Sequence, residues 1–260
     1  MFYIFVHQIH KINRMHKEIL GIDIGGTGIK GSIVDITTGK VVSERVRILT
    51  PKPATPEAVA EKVKELVDVF NWKGDIGCGF PAVVMNGIVK TASNIDKSWI
   101  GVDIEKLLSS YTQCNVSVVN DADAAGIAEI HFGDPSFKKG VVILLTIGTG
   151  IGSSVFVNGT LVPNTELGFA RMHGKIAEKY ASNVVRKKND LSWKVWGKRL
   201  NEYLQYVEEM FWPDIILIGG GVSKKMNEYQ KHLKLKAKVM PATMKNVAGV
   251  VGAAMCVKAN

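Results

Sequence analysis

Three glycine turns, each closing an apolar run, are the parts of this chain best suited to chemistry. They are Gly25-Gly26-Thr27-Gly28 after Ile19 to Ile24, Gly148-Thr149-Gly150 after Val141 to Ile147, and Gly219-Gly220-Gly221 after Asp214 to Ile218. Glycine leaves backbone N–H groups uncovered by a Cβ, and such a concavity binds phosphate oxygens. Thr27 adds a hydroxyl donor and Lys30 a positive charge. One such turn is equally explained as a plain hairpin, whereas three form a nucleotide or polyphosphate pattern. Two carboxylates stand beside them. Asp23 lies two residues before the first turn in an otherwise apolar run. An acid there needs a partner, so it is assigned to Mg2+, directly or through water, with capping of nearby amides as the alternative. Asp121 follows Val116 to Val119 and Asn120 and opens a helix-forming stretch. A carboxylate at that point can take the proton of an attacking hydroxyl during phosphoryl transfer, and the alternative is a helix N-cap.

The elements that position these groups follow from the hydrophobic pattern. Ile19 to Ile24 and Ile29 to Asp35 read as strands joined at the first glycine turn, with Lys40 to Leu49 as a third. Thr55 caps a helix that starts at Pro56 and turns Val59, Val63, Leu66, Val67 and Phe70 to one side. Asp75 to Phe80, a hairpin at Asn86-Gly87, a helix from Asp103 and the Val116 to Val119 strand complete a mixed α/β region. The pattern then restarts: LTIGTGIGSSVFV sets onto IDIGGTGIKGSIVD as the same strand, glycine turn and strand, which predicts an internal duplication. Helices around Ile176 to Val185 and Trp193 to Phe211, the Asp214 to Ile218 strand and an apolar helix from Val247 to Val257 follow. The division predicted is an N-terminal appendage over residues 1–17, an N-terminal lobe over 18–122 and a C-terminal lobe over 123–260, whose last helix packs back on the first lobe.

Composition narrows the classes. The chain has 260 residues, 46% hydrophobic and 22% charged, and a formal net charge of +9, so it is a globular protein whose charge favours polyanionic partners. Cys78, Cys114 and Cys256 are scattered and form no CxxC pair, which excludes a disulfide framework and a cysteine zinc site and points to a reducing cytoplasm. No apolar run approaches a membrane helix, so no membrane partner is expected. Lysines and arginines gather late, from Arg186 to Lys238, either as a solvated face or as a track for a long polyanion. Trp193, Trp196, Tyr203, Tyr206, Met210 and Phe211 recur near helical spacing and are expected in a core or a dimer face.

In order, DIGGTGIKGSIVD, SNIDKSWIG, VVNDADAAGIAE, LLTIGTGIGSSV, NGTLVPNTELG and NVAGVVGAAM resemble the ROK family of sugar kinases and repressors, most of all its polyphosphate glucokinase branch. The resemblance runs from about Glu18 to the C-terminus. It implies an α/β, two-lobed actin-like ATPase (ribonuclease H-like) fold, with duplicated lobes and an interlobe cleft. The implied reaction transfers phosphate from ATP, or in that branch also from inorganic polyphosphate, to the 6-hydroxyl of glucose or a related hexose. By resemblance, Asp121 is the catalytic base and Asn120 a sugar ligand, Asn94 lines the sugar pocket, and Glu166 opens the E-x-G-H sugar motif. Gly25, Gly26 and Thr27 match the first phosphate loop, Thr149 and Gly150 the second, and Gly219, Gly220 and Gly221 the adenosine side.

The chain departs from the family pattern at the sugar motif, which reads Glu166-Leu167-Gly168-Phe169. Phe169 replaces the sugar-binding histidine, and Arg171 stands where the branch has a second acidic ligand. Each lost hydrogen bond costs about 1 to 3 kcal/mol. His173 is a neighbouring substitute, and Arg171 would suit an anionic substrate. GKIAEKYASN lacks the family's zinc cysteines, so no zinc is expected. Residues 1–17 are too short for the helix-turn-helix that precedes the family's repressors, so nucleic acid is not an expected partner. A homodimer through the second lobe is a family expectation. The competing function is a catalytically weak sugar or phosphate-binding protein of the same fold.

Overall fold

The computed structural model describes residues 18–93 and 95–257. The chain divides into two compact units, one running to Ala128 and regaining the chain from Val247, the other Glu129–Asn246. In the first unit β1 (Glu18–Gly25) and β2 (Gly28–Asp35) form an antiparallel hairpin in register from Glu18 opposite Asp35 to Gly25 opposite Gly28. The sequence reading of one strand over Lys40 to Leu49 is corrected: β3 (Lys40–Val41) and β4 (Val46–Ile48) pair with opposite ends of β2. The ladder is interrupted because Ser43 takes the next place with its side chain, its Oγ accepting from Ile33 N at 2.9 Å. β5 (Ile76–Phe80) joins β1 in parallel and β8 (Val116–Asn120) joins β5 in parallel, giving the order β3-β2-β1-β5-β8. Between them lie α1 (Pro56–Val69), the hairpin β6 (Val84–Met85) and β7 (Ile88–Val89), and α2 (Ile104–Thr112). Thr55 Oγ1 and Asp103 Oδ1 cap the two helices as their positions predict, each worth about 1 kcal/mol. The hairpin turns at Asn86-Gly87, both at positive φ.

β1 alternates. Leu20, Ile22 and Ile24 face a core made with Val59, Val63 and Leu66 of α1, whereas Gly21 and Asp23 face the other way, toward α8 (Ala248–Met255). Glycine is required on that second face. A Cβ at Gly21 would lie 2.0 Å from Val250 O and one at Gly77 1.8 Å from Ala253 O, so α8 rests on bare sheet backbone. Gly252 does the same toward α3 (Asp121–Phe132), where a Cβ would lie 1.6 Å from Ala124 O.

The second unit repeats the strand order. β9 (Val141–Ile147) and β10 (Ile151–Val157) form the hairpin, β11 (Thr160–Val162) extends it, and β14 (Ile215–Gly219) and β15 (Lys238–Pro241) add in parallel, giving β11-β10-β9-β14-β15. α6 (Trp193–Phe211) covers one face, burying Trp196, Leu200, Tyr203, Leu204 and Val207 against Ile143, Leu145, Ile216 and Ile218. Tyr206 and Met210 of the same aromatic series are exposed. The predicted helix over Ile176 to Val185 is corrected: β12 (Arg171–Met172) and β13 (Lys175–Ile176) form a small hairpin, followed by α4 (Glu178–Ala181) and α5 (Asn183–Lys188). Ser182, at ψ 159°, ends α4 and caps α5 with its hydroxyl on Val185 N, breaking a pattern that hydrophobicity alone runs together. A short α7 (Met226–Tyr229) follows the third glycine turn.

Candidate active site

In the first unit the site is built at the carboxyl ends of three parallel strands, where open α/β sheets bind ligands. Asp23 on β1 is in register with Gly79 on β5, and Gly79 with Val119 on β8, two residues before Asp121. At roughly 4.8 Å per strand, Asp23 and Val119 are separated by about 10 Å across the sheet. Asp121 is half-buried at the start of α3, and a Cβ at Gly79 would come within 3.6 Å of its Cα. Asn120 caps that helix, its Oδ1 accepting from Ala122 N at 2.8 Å and Asp123 N at 3.1 Å while its Nδ2 donates to Ala82 O at 3.1 Å. Asn120 is buried, and these bonds orient it as the brace of the Asp121 backbone.

Lys30 Nζ donates to Asp23 Oδ2 at 2.9 Å across the β1–β2 register, so the carboxylate in the apolar run has a cation as its partner. Among the described residues no three His, Cys, Asp or Glu side chains group to hold a metal. Mg2+ bound mainly by phosphates and water needs only one or two carboxylates, and Asp23 beside the first turn fits that modest demand. The turn itself is held by two residues whose role sequence reasoning missed: Thr50 Oγ1 donates to Gly25 O at 2.5 Å, and Arg47 Nη2 donates to Thr27 O at 3.1 Å. These bonds occupy carbonyls. Gly26 and Thr27 stay exposed at the tip. Asn94 lies outside the described residues, as does 1–17. Trp99, a described residue of the same motif, is fully buried, with Nε1 donating to Ala54 O at 2.9 Å and the ring 4.7 Å from Phe80.

The second unit brings two of the predicted turns together. Gly219 pairs with Thr146 at the ends of the parallel strands, and Gly220, at φ 76°, sits against Ile147, where a Cβ would lie 2.4 Å from the carbonyl oxygen. The Gly148-Thr149-Gly150 and Gly219-Gly220-Gly221 turns are therefore neighbours, with open space at Gly148 and Gly221 and an exposed Thr149.

Glu166 is clamped beside the second turn. Ser153 Oγ accepts from Leu167 N at 2.9 Å and donates to Thr165 O at 2.6 Å, and a Cβ at Gly168 would lie 2.1 Å from Ile151 O. Burial pushes the Glu166 carboxyl above the usual carboxylate range, and the neighbouring Glu178, which opens α4 and is itself buried, adds to the rise. Glu178 is a second acid that sequence reasoning passed over. Its signal was an acidic residue at a helix start just after the sugar motif. Phe169 and Arg171 are exposed, and His173 points elsewhere, with Nε2 3.3 Å from Glu202 Oε2 and its ring 5.0 Å from Tyr180.

Comparison with known proteins gives the chain's relatives. The family model described as "ROK family" matches residues 19–176. The chain is 47% identical over 236 residues to a polyphosphate glucokinase of Mycobacterium tuberculosis, covering 90% of this chain and 89% of that protein. Among solved structures, the inorganic polyphosphate/ATP-glucomannokinase of Arthrobacter sp. strain KM superposes with a TM-score of 0.87 at 45% identity, covering 92% of this chain and 97% of that one. A glucokinase of Streptomyces griseus in complex with glucose and AMPPNP shares the fold, with a TM-score of 0.77 at 23% identity over 92% of this chain and 98% of that one.

Proposed function

The chain belongs to the ROK family and is a sugar kinase with the two-lobed actin-like ATPase fold, and we propose that it transfers phosphate from inorganic polyphosphate or ATP to the 6-hydroxyl of glucose or a closely related hexose. The observation that carries this reading is the place of Asp121, at the carboxyl end of β8 on a helix that Asn120 caps. The Asp121 carboxylate takes the proton of the sugar hydroxyl as that oxygen attacks the terminal phosphorus, and the bond from phosphorus to the leaving phosphate or ADP oxygen breaks. Asn120 fixes where the carboxylate starts from, and Glu166 accepts hydroxyl hydrogens of the sugar. The backbone N–H groups of Gly25 to Thr27 and of Thr149 and Gly150 receive donor phosphates, with the 219–221 turn on the adenosine side. Asp23 would meet a Mg2+ ion accompanying those phosphates, and that ion supplies charge neutralisation on the transferring group. Lys30, ion-paired to Asp23, orients that carboxylate as well as adding charge.

The identity to polyphosphate glucokinases favours transfer over bare binding. Three free cysteines suit a reducing cytoplasm, and the exposed Val195, Tyr206 and Met210 of α6 suit a homodimer face. Phosphorus-31 NMR of the native chain with glucose or mannose, and with either donor, tests the reading. Appearance of a hexose 6-phosphate is expected. No sugar phosphate from any pairing, with ligand binding intact, would overturn it.

A further inference from the structure

The second unit carries a group of lysines that transfer chemistry does not use. Lys194 and Lys198 lie one helical turn apart on the same side of α6, and Lys231 lies in the 3-10 turn Gln230–His232. That turn seats on α6 because residue 197 is glycine: a Cβ there would lie 3.3 Å from both Cβ and Cδ2 of His232. His232 thus brings Lys231, its chain neighbour, against the turn of α6 that carries Lys194 and Lys198, and burial together with those three charges holds its imidazole below its usual proton affinity. All three are exposed, and none belongs to an ion pair among the described residues. Like charges gathered this way repel one another, and a polyanion from outside relieves the repulsion.

The group is joined to the third glycine turn through the chain and a hydrogen bond. From Gly219-Gly220-Gly221 the chain passes through Lys224 and Lys225 of a 3-10 turn into α7, and Tyr229 at its end donates from its hydroxyl back to Val222 O at 3.2 Å. The Tyr229 ring stacks on Trp193 at 5.8 Å and meets Trp196 edge-on at 4.9 Å. A basic path thus begins at the third glycine turn and ends one helix further out, beyond the nucleotide side. Its aromatic rings are committed: Trp196 and Tyr229 are buried, and the Arg186 guanidinium covers Trp193 at 4.0 Å. Nucleic acid bound as a single strand needs open ring faces for its bases, whereas an inorganic phosphate chain needs only cations.

Resting on the donor reading above, we propose that Lys194, Lys198 and Lys231 form a docking site for the trailing phosphates of long inorganic polyphosphate, separate from the transfer site. ATP, whose phosphates end at the nucleoside, does not use it. The test is the full chain carrying Lys194→Gln, Lys198→Gln and Lys231→Gln together, assayed with long-chain polyphosphate, tripolyphosphate and ATP, beside a control with Lys62→Gln and Lys64→Gln on α1. About a tenfold rise in KM for the long chain is expected, together with a shallower fall of kcat/KM with salt, while the other two donors and the control stay within about twofold. An unchanged long-chain KM, an equal rise for ATP, or loss of single-stranded RNA binding without a change in long-chain use would overturn the docking site. A native chain that uses ATP but polyphosphate of no length overturns polyphosphate as a donor, and with it the premise of the docking site, while leaving the sugar kinase with ATP. Equal native KM for long and short chains overturns only the docking site.

Discussion

In the first unit the hairpin of β1 and β2 turns in two residues and the carboxylate beside it, Asp23, is paired with Lys30. In the second, the equivalent hairpin turns in three residues and the carboxylate beside it, Glu166, has another acid, Glu178, for a neighbour. The described residues of the first unit hold 11 Lys and Arg against 14 Asp and Glu, and those of the second 18 against 10. One strand order has thus been put to two electrostatic uses. The first unit neutralises its acid locally and spends its glycines on close packing. The second keeps a surplus of cations on its surface, and of its two neighbouring acids Glu178 is paired with Lys179 at 3.3 Å while Glu166 keeps its raised carboxyl for sugar hydroxyls.

The packing half of this comparison breaks most easily at Gly252. A side chain there meets Ala124 O of α3, and forcing two backbones apart costs about 1 to 3 kcal/mol or more, so Gly252→Val is expected to lower Tm by about 5 to 10 °C. Gly148 of the second unit has open space around it, and Gly148→Ala should leave Tm unchanged. Equal effects at both positions, read by thermal unfolding, would erase the contrast.

A smaller effect sharpens the electrostatic half. Because its carboxyl is raised in the folded state, Glu166 favours folding while protonated, and that contribution is lost as pH rises through the raised value. Glu166→Gln does not titrate, so its Tm should exceed that of the native chain at neutral pH, with the gain fading as pH falls through the raised value and gone once pH is below the usual carboxylate value. The same change removes an acceptor for sugar hydroxyls, and a loss of about 1 to 3 kcal/mol raises hexose KM roughly tenfold. A variant with unchanged KM would remove Glu166 from the sugar site.

Much of this was legible from residues alone. The duplication shows in two strand-glycine-strand stretches, and Thr55, Asp103 and Asn86-Gly87 act as local signals because caps and tight turns are decided within four residues. What escaped was long-range. Arg47 and Thr50 reach the first glycine turn only because β4 folds back on β2, and Gly21, Gly77 and Gly252 make sense only once α8 has returned to the sheet. The break of Lys40 to Leu49 turned on one hydroxyl, Ser43, taking a backbone place. At the site, the place of Asp121 at a strand's carboxyl end was legible from its position after an apolar run. That Asn120 caps α3 with its side chain needed the hydrogen bonds themselves.

The most direct measurement is the turnover of Asp121→Asn beside the native chain, with either donor, together with the Tm of both. Because Asn120 caps α3, the substitution should leave Tm unchanged while kcat falls by about 10² to 10⁴ with both donors, the range for removal of a general base. A fall of less than about tenfold at unchanged Tm would contradict the assignment of this carboxylate as the group that takes the sugar's proton.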